Sequence, residues 1–89
     1  MESRYYYKDG SILNYYNHNK ILHRTDGPAI EFADGSKRWW VESQLHRLDG
    51  PAVEWADGSK EWWVEGKYLT YEQFEDYRAE LFERNVLSE

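Results

Sequence analysis

Two histidines head the same short string, His23-Arg24-Thr25-Asp26-Gly27-Pro28-Ala29 and His46-Arg47-Leu48-Asp49-Gly50-Pro51-Ala52. An imidazole with a carboxylate close behind it is the raw material of a metal site or an acid–base pair. The structural reading is the stronger one. An Asp two residues before Pro sits in a turn, where its carboxylate accepts backbone N–H groups or pairs with Arg24 or Arg47. A catalytic centre is also rarely needed twice in 89 residues. The His-Arg-x-Asp string lacks the rest of a kinase catalytic loop. Glu54 and Glu61 make a carboxylate pair of the glycosidase kind, but a flat outer sheet face gives them no closed pocket. No Ser-His-Asp arrangement, phosphate-cradling glycine loop or zinc-ligand spacing is present. The expectation is a protein that is not an enzyme and that holds neither metal nor cofactor. Trp40 and Trp63 are the stronger candidates, as binding anchors rimmed by Glu31, Glu42, Glu54, Glu61 and Glu65, because Trp with a charged rim is the usual composition of a protein-binding hot spot.

These residues occupy matching places because the chain repeats. His23 to Leu45 and His46 to Tyr68 align without a gap, and 16 of 23 positions are identical. The differences are mild, such as Ile30 for Val53 and Phe32 for Trp55, except for one change of sign, Arg38 against Glu61. Upstream, Tyr5 to Arg24 reads as a degraded copy that keeps Asp9-Gly10-Ser11, the pair Tyr15-Tyr16 and a closing Leu22-His23-Arg24. A single domain over residues 1–89 therefore divides into a degenerate hairpin unit at 1–22, repeats at 23–45 and 46–69, and a C-terminal segment at 70–87.

Each copy is built from short strands. Asp34-Gly35 and Asp57-Gly58 are hairpin dipeptides, since Gly takes positive φ without penalty and Asp tolerates it. Asp26-Gly27-Pro28 and Asp49-Gly50-Pro51 mark further turns, because proline has no N–H to give a ladder. Another reversal falls near Glu42-Ser43-Gln44 and Glu65-Gly66-Lys67. With Asp-Gly as a two-residue turn, Ile30 faces Trp39 and Phe32 faces Lys37. One face then becomes nearly continuous apolar surface, and the other carries Glu31, Arg38, Trp40 and Glu42, repeated as Glu54, Glu61, Trp63 and Glu65. A three-residue loop would instead set Glu31 against Lys37 and Glu54 against Lys60. That register splits each apolar set between the faces. Burying one large side chain contributes about 1.5–3 kcal/mol, against under about 1 kcal/mol for a cross-strand charge pair, so the two-residue turn is expected.

The last segment changes period. Thr70-Tyr71-Glu72-Gln73 is a capping box, with Leu69 and Phe74 placed as a hydrophobic staple. A helix from Tyr71 to about Val86 follows, with Phe74, Tyr77 and Leu81 on one side and Glu72, Asp76 and Glu83 on the other. Glu80 and Arg84 stand at favourable i,i+4 spacing. The fold expected is mainly β with an α+β character: a meander of stacked antiparallel hairpin repeats, capped by a C-terminal helix.

Composition narrows the function. Aromatic residues make up 18% of the chain, with five Trp and eight Tyr, which is enough to build a core. The net charge of −6 argues against direct nucleic-acid binding, which needs a basic patch. Cysteine is absent, so nothing points to an oxidising compartment. No apolar run reaches the length of a membrane span, and the N-terminus lacks the layout of a secretion signal. The expected setting is cytoplasmic, without membrane contact.

The tandem HRxDGPA and ADGSKxWWVxG units, followed by Leu69-Thr70-Tyr71-Glu72-Gln73-Phe74, resemble a group of small repeat proteins encoded by bacteriophages and large DNA viruses. They are similar, more loosely, to MORN-type hairpin repeats. The resemblance implies a viral accessory protein acting in the host cytoplasm. Some small acidic phage proteins inhibit host defence nucleases, including CRISPR effectors. Joined to the residues above, it implies a non-enzymatic module that sterically blocks a larger protein with a basic or mixed surface. Trp40 and Trp63 would anchor it, while the acidic rim and the Glu72/Asp76/Glu83 face would meet Lys and Arg. In one version of this reading the carboxylates stand in for the phosphates of nucleic acid, and the partner is a nucleic-acid-binding defence complex. A second reading is a choline- or glycan-binding hairpin solenoid, in which aromatics cage the ligand. A third is a structural protein that self-assembles, as a homodimer through its apolar face or an open edge.

Overall fold

A computed structural model describes residues 2–16 and 21–87, with side chains for residues 4–14 and 21–83. The chain reverses three times on one kind of loop. In the second, Phe32 C=O accepts the Gly35 N–H at 3.0 Å and Phe32 N–H donates to Ser36 C=O at 2.8 Å. Asp34 Oδ1 accepts the Ser36 N–H at 2.8 Å. Gly35 closes the loop at φ 95°, a backbone state costly to any residue with a Cβ. The same bonds recur at Tyr7, Asp9, Gly10 and Ser11 and at Trp55, Asp57, Gly58 and Ser59. The degraded first unit is thus a true copy at this turn, and the two residues it inserts lie outside the described residues.

This is a three-residue loop with a glycine bulge, not the expected two-residue turn. Glu31 pairs with Lys37 and Ile30 with Arg38; Glu54 pairs with Lys60 and Val53 with Glu61. Two things reverse the expected balance. The Asp carboxylate and the bulge glycine together satisfy the turn's donors, which a bare Asp-Gly turn leaves to solvent. The loss assumed for the slipped register also presumed a single dry face, whereas this sheet shelters apolar side chains on both.

Strands β1 (Glu2–Tyr6), β2 (Ile12–Tyr16), β4 (Ile30–Glu31), β5 (Lys37–Arg38), β8 (Val53–Glu54) and β9 (Lys60–Val64) follow one another in an antiparallel ladder. A second column runs beside it. Here β3 (Ile21–Leu22) pairs with the far half of β2, β6 (Trp40–Val41) with β7 (Gln44–Leu45), and the far half of β9 with β10 (Lys67–Leu69). Backbone bonds from Arg24 N–H to Trp40 C=O and from Arg47 N–H to Trp63 C=O join these pairs from unit to unit. Two-residue turns close the β6–β7 and β9–β10 pairs, with Glu42 and Ser43 at φ 49° and 63° and Glu65 and Gly66 at φ 50° and 79°. The fold is mainly β with one C-terminal helix, a meander of hairpin repeats as expected. It forms a slab of 48 × 32 × 17 Å.

Serine side chains key the units together. Ser11 Oγ accepts the Ala33 N–H at 3.2 Å, and Ser36 Oγ accepts the Ala56 N–H at 3.0 Å.

The HRxDGPA strings cross from one column to the other, and each is folded around its own arginine. Arg47 donates from Nε to Asp49 at 2.9 Å and from Nη1 to Pro51 C=O and Glu54, both at 3.0 Å. Arg24 repeats this on Asp26, Pro28 and Glu31 at 2.8, 3.1 and 3.3 Å. Asp26-Gly27 and Asp49-Gly50 lie in bends, where the glycines serve closeness rather than positive φ. A Cβ on Gly27 or Gly50 would stand 2.9 or 2.8 Å from the guanidinium carbon. The histidines are structural too: His23 Nδ1 accepts the Glu42 N–H at 3.1 Å, and His46 Nδ1 accepts the Glu65 N–H at 3.0 Å.

The helix α1 (Tyr71–Leu87) begins on the expected capping box, with Thr70 Oγ1 accepting the Gln73 N–H at 3.1 Å and Gln73 Oε1 accepting the Thr70 N–H at 3.0 Å. Phe74, 1% exposed, lies against Trp62 at 6.4 Å between ring centroids, and Tyr71 meets the same indole at 5.1 Å. In the preceding unit the equivalent Trp39 is covered by Arg47, whose guanidinium carbon is 3.8 Å from the ring centre. The helix therefore takes the place that the next HRxDGPA loop would occupy. The Glu80–Arg84 pair lies outside the described side chains; Glu75 and Arg78 meet at 3.6 Å. No helix among the described residues is long and apolar enough to cross a membrane.

Candidate functional site: an open aromatic face

Side-chain alternation along β9 sends Lys60, Trp62 and Val64 to one face and Glu61 and Trp63 to the other. Cross-strand pairing carries the assignment through the sheet. Glu31, Lys37, Glu54 and Lys60 form a row of alternating charge on the first face, and Leu13, Ile30, Arg38, Val53 and Glu61 a row on the second. The first face is the covered one. Arg24 and Arg47 reach over it to Glu31 and Glu54, and α1 closes over Trp62.

The second face carries a further set of aromatic side chains. Ile30 and Val53 are sunk in it, 8% and 2% exposed, among larger neighbours. At its outer end, just before each turn, stand Tyr7, Phe32 and Trp55, at 49%, 38% and 41% exposure. Arg38 lies between the last two, its guanidinium carbon 5.0 Å from the Phe32 ring centre and 4.4 Å from that of Trp55. Further along the strands lie Trp40 and Trp63, both half-buried. Trp63 packs edge-on against Tyr68 at 5.5 Å. Glu61 joins the two rows of its unit: Oε2 accepts the Trp55 indole N–H and Oε1 that of Trp63, each at 2.9 Å.

The expected rim does not assemble around Trp40 and Trp63. The one-residue slip puts Glu31 and Glu54 on the opposite face, where they serve the arginine clamps. Glu61 stays beside Trp63 but is held by indoles. Glu42 and Glu65 stand exposed at the two-residue turns, and Glu72, Asp76 and Glu83 are exposed on α1. The residues that sequence reading passed over are Tyr7, Phe32, Trp55 and Arg38. A signal for them was present, since an aromatic residue directly precedes the Lys-Asp-Gly or Ala-Asp-Gly corner in all three copies.

A further concavity lies elsewhere. A groove of about 550 Å³ runs between the two HRxDGPA loops, floored by Trp39 and Val41. Its arginines are engaged in the clamps, and Arg47 already lies over Trp39. Among the described residues no group of three His, Asp or Glu side chains is placed to hold a metal ion. Asp26 and Asp49 are held below the ordinary aspartate pKa by the Arg24 and Arg47 guanidinium groups. Asp34 and Asp57 are lowered by the Ser36 and Ser59 N–H groups. All four titrate as turn fasteners.

The chain matches no protein-family model, no curated protein and no solved structure.

Proposed function

We propose that this protein is a non-catalytic binding module that docks another protein on its open aromatic face. The observation that supports this most is the asymmetry of the slab. One face is crossed by arginine-clamped loops and a helix, while the other keeps Tyr7, Phe32 and Trp55 at the surface beside half-buried Trp40 and Trp63. Large aromatics on a rigid sheet offer contact area at little ordering cost. The partner has a mixed surface: an apolar patch for the aromatic rows, and basic groups for Glu42 and Glu65 at the two-residue turns.

The resemblance of the tandem units to small phage proteins supplies the setting of the proposal. The partner is a host enzyme or defence effector, CRISPR effectors included, in the host cytoplasm, and the module acts by covering its surface. A nucleic-acid-mimic version rests on the five outward carboxylates alone, because Glu31, Glu54 and Glu61 are engaged internally. That version requires affinity to fall steeply with added salt. For a choline cage, Trp39 is already taken, since Arg47 provides the cation over it.

Affinity capture with the wild-type chain and with Phe32→Ala/Trp55→Ala tests the proposal. The double variant should keep the circular dichroism of the wild type and lose its captured protein. A fully folded variant that still captures it would overturn the assignment of this face.

A further inference from the structure

The two strong repeats differ in one place where hydrogen bonding is at stake. In the second, Glu61 accepts both indole N–H groups of its unit, from Trp55 and Trp63. The equivalent positions in the first are Arg38, Phe32 and Trp40. Phe32 has no N–H to give, and Arg38 and Trp40 are both donors, so neither can satisfy the other. Accordingly Arg38 Nη1 and Trp40 Nε1 are buried without a hydrogen-bond partner, the two side-chain atoms so placed among the described residues. A buried donor left unmade destabilises a protein unless an acceptor arrives. Both donors belong to the open face, beside exposed Phe32 and Trp55.

We propose that Arg38 Nη1 and Trp40 Nε1 take a carboxylate of the docked protein, which reaches these buried donors as the Arg38 side chain shifts from its place against Phe32 and Trp55 and is presented next to an apolar group that rests on those two rings. A carboxylate is the fitting acceptor, because a guanidinium and an indole N–H together match its two oxygens. The neighbouring unit already holds one, that of Glu61, between two donors in the equivalent place. The inference rests on the docking role of this face and names its recognition chemistry. It also places an anion-reading spot inside a surface whose net charge of −6 suggests the reverse.

The test follows the five indole N–H resonances by NMR while a blocked dipeptide, acetyl-Phe-Glu-amide, is added at constant ionic strength. Acetyl-Phe, with a terminal carboxylate, and acetyl-Phe-Gln-amide, with none, serve as the other arms. Either acid should move the Trp40 resonance saturably and that of Trp55 beneath the peptide's ring, while those of Trp39 and Trp62 on the opposite face move least. The tighter of the two identifies a side-chain or terminal carboxylate as the source. Arg38→Glu should weaken binding at least about tenfold, the loss of one charge-assisted bond. It should also place the Trp40 resonance near that of Trp63 before any ligand is added. Arg38→Leu, which copies Leu13 of the first unit, should weaken binding equally without that displacement. An unmoved Trp40 resonance, equal movement by the Gln peptide, or undiminished binding in both variants would overturn the proposal. Failure here with loss of capture in Phe32→Ala/Trp55→Ala removes the carboxylate and leaves the docking face. Success here with capture retained removes the docking face.

Discussion

The guanidinium of Arg47 lies over the indole of Trp39, its carbon 3.8 Å from the ring centre, while its nitrogens hold Asp49, Pro51 and Glu54. One side chain thus folds the loop and roofs the ring of the preceding unit. The closeness depends on Gly50, where a Cβ would meet the guanidinium carbon at 2.8 Å. Gly50→Ala should therefore cost about 1–3 kcal/mol in urea denaturation, the range for forced overpacking. Gly50 has no positive φ to lose, so an unchanged midpoint would mean that the guanidinium moves aside freely.

The repeats set a second comparison. Ser43 and Gly66 hold the same turn position at φ 63° and 79°. A side chain pays for that conformation and glycine does not. Ser43→Gly should raise stability by about 0.5–1 kcal/mol and Gly66→Ser should lower it by a similar amount, read as opposite shifts of the thermal midpoint.

Acid should loosen the turns. Asp34 and Asp57 have folded pKa values below the unfolded one, the Ser36 and Ser59 N–H bonds being the main cause. Their contribution is complete above the unfolded value and is lost as pH falls below about 4. The thermal midpoint should drop through that window. In Asp34→Asn/Asp57→Asn, which keeps an acceptor oxygen but no titratable group, the drop should be shallower.

Phe74→Ala should be the most damaging single change on α1. Removing a ring that is 1% exposed costs about 3–5 kcal/mol, a large share of the stability of a small domain. It also uncovers Trp62. Loss of helical circular dichroism with the β signal retained would show the cap to be separable; full unfolding would show that the stack needs it.

Local signals made much of this legible from the letters. The repeat, the reversals at Glu42-Ser43 and Glu65-Gly66, and the helix with its Thr70–Gln73 cap all depend on residues within a few positions of one another. The register did not yield, because it turns on whether Asp34 holds the Ser36 N–H and on what covers the other face. That cover comes from Arg24 and Arg47, which reach across from loops whose purpose the string HRxDGPA does not announce. A slip of one residue then decided which carboxylates stand near Trp63 and which serve an arginine. The aromatic rows were in plain view as a recurrence before each corner, but burial on two faces hid their importance.

The hydroxyl of Ser11 receives a main-chain N–H from the second unit, and that of Ser36 receives one from the third. Ser59 is the last of the series, with α1 in place of a fourth unit. Length is therefore a property that can be dialled. Splicing another 23-residue copy between Leu45 and His46 should extend the slab by two strand spacings, about 10 Å. It would add one aromatic rung and leave the terminus sealed as before.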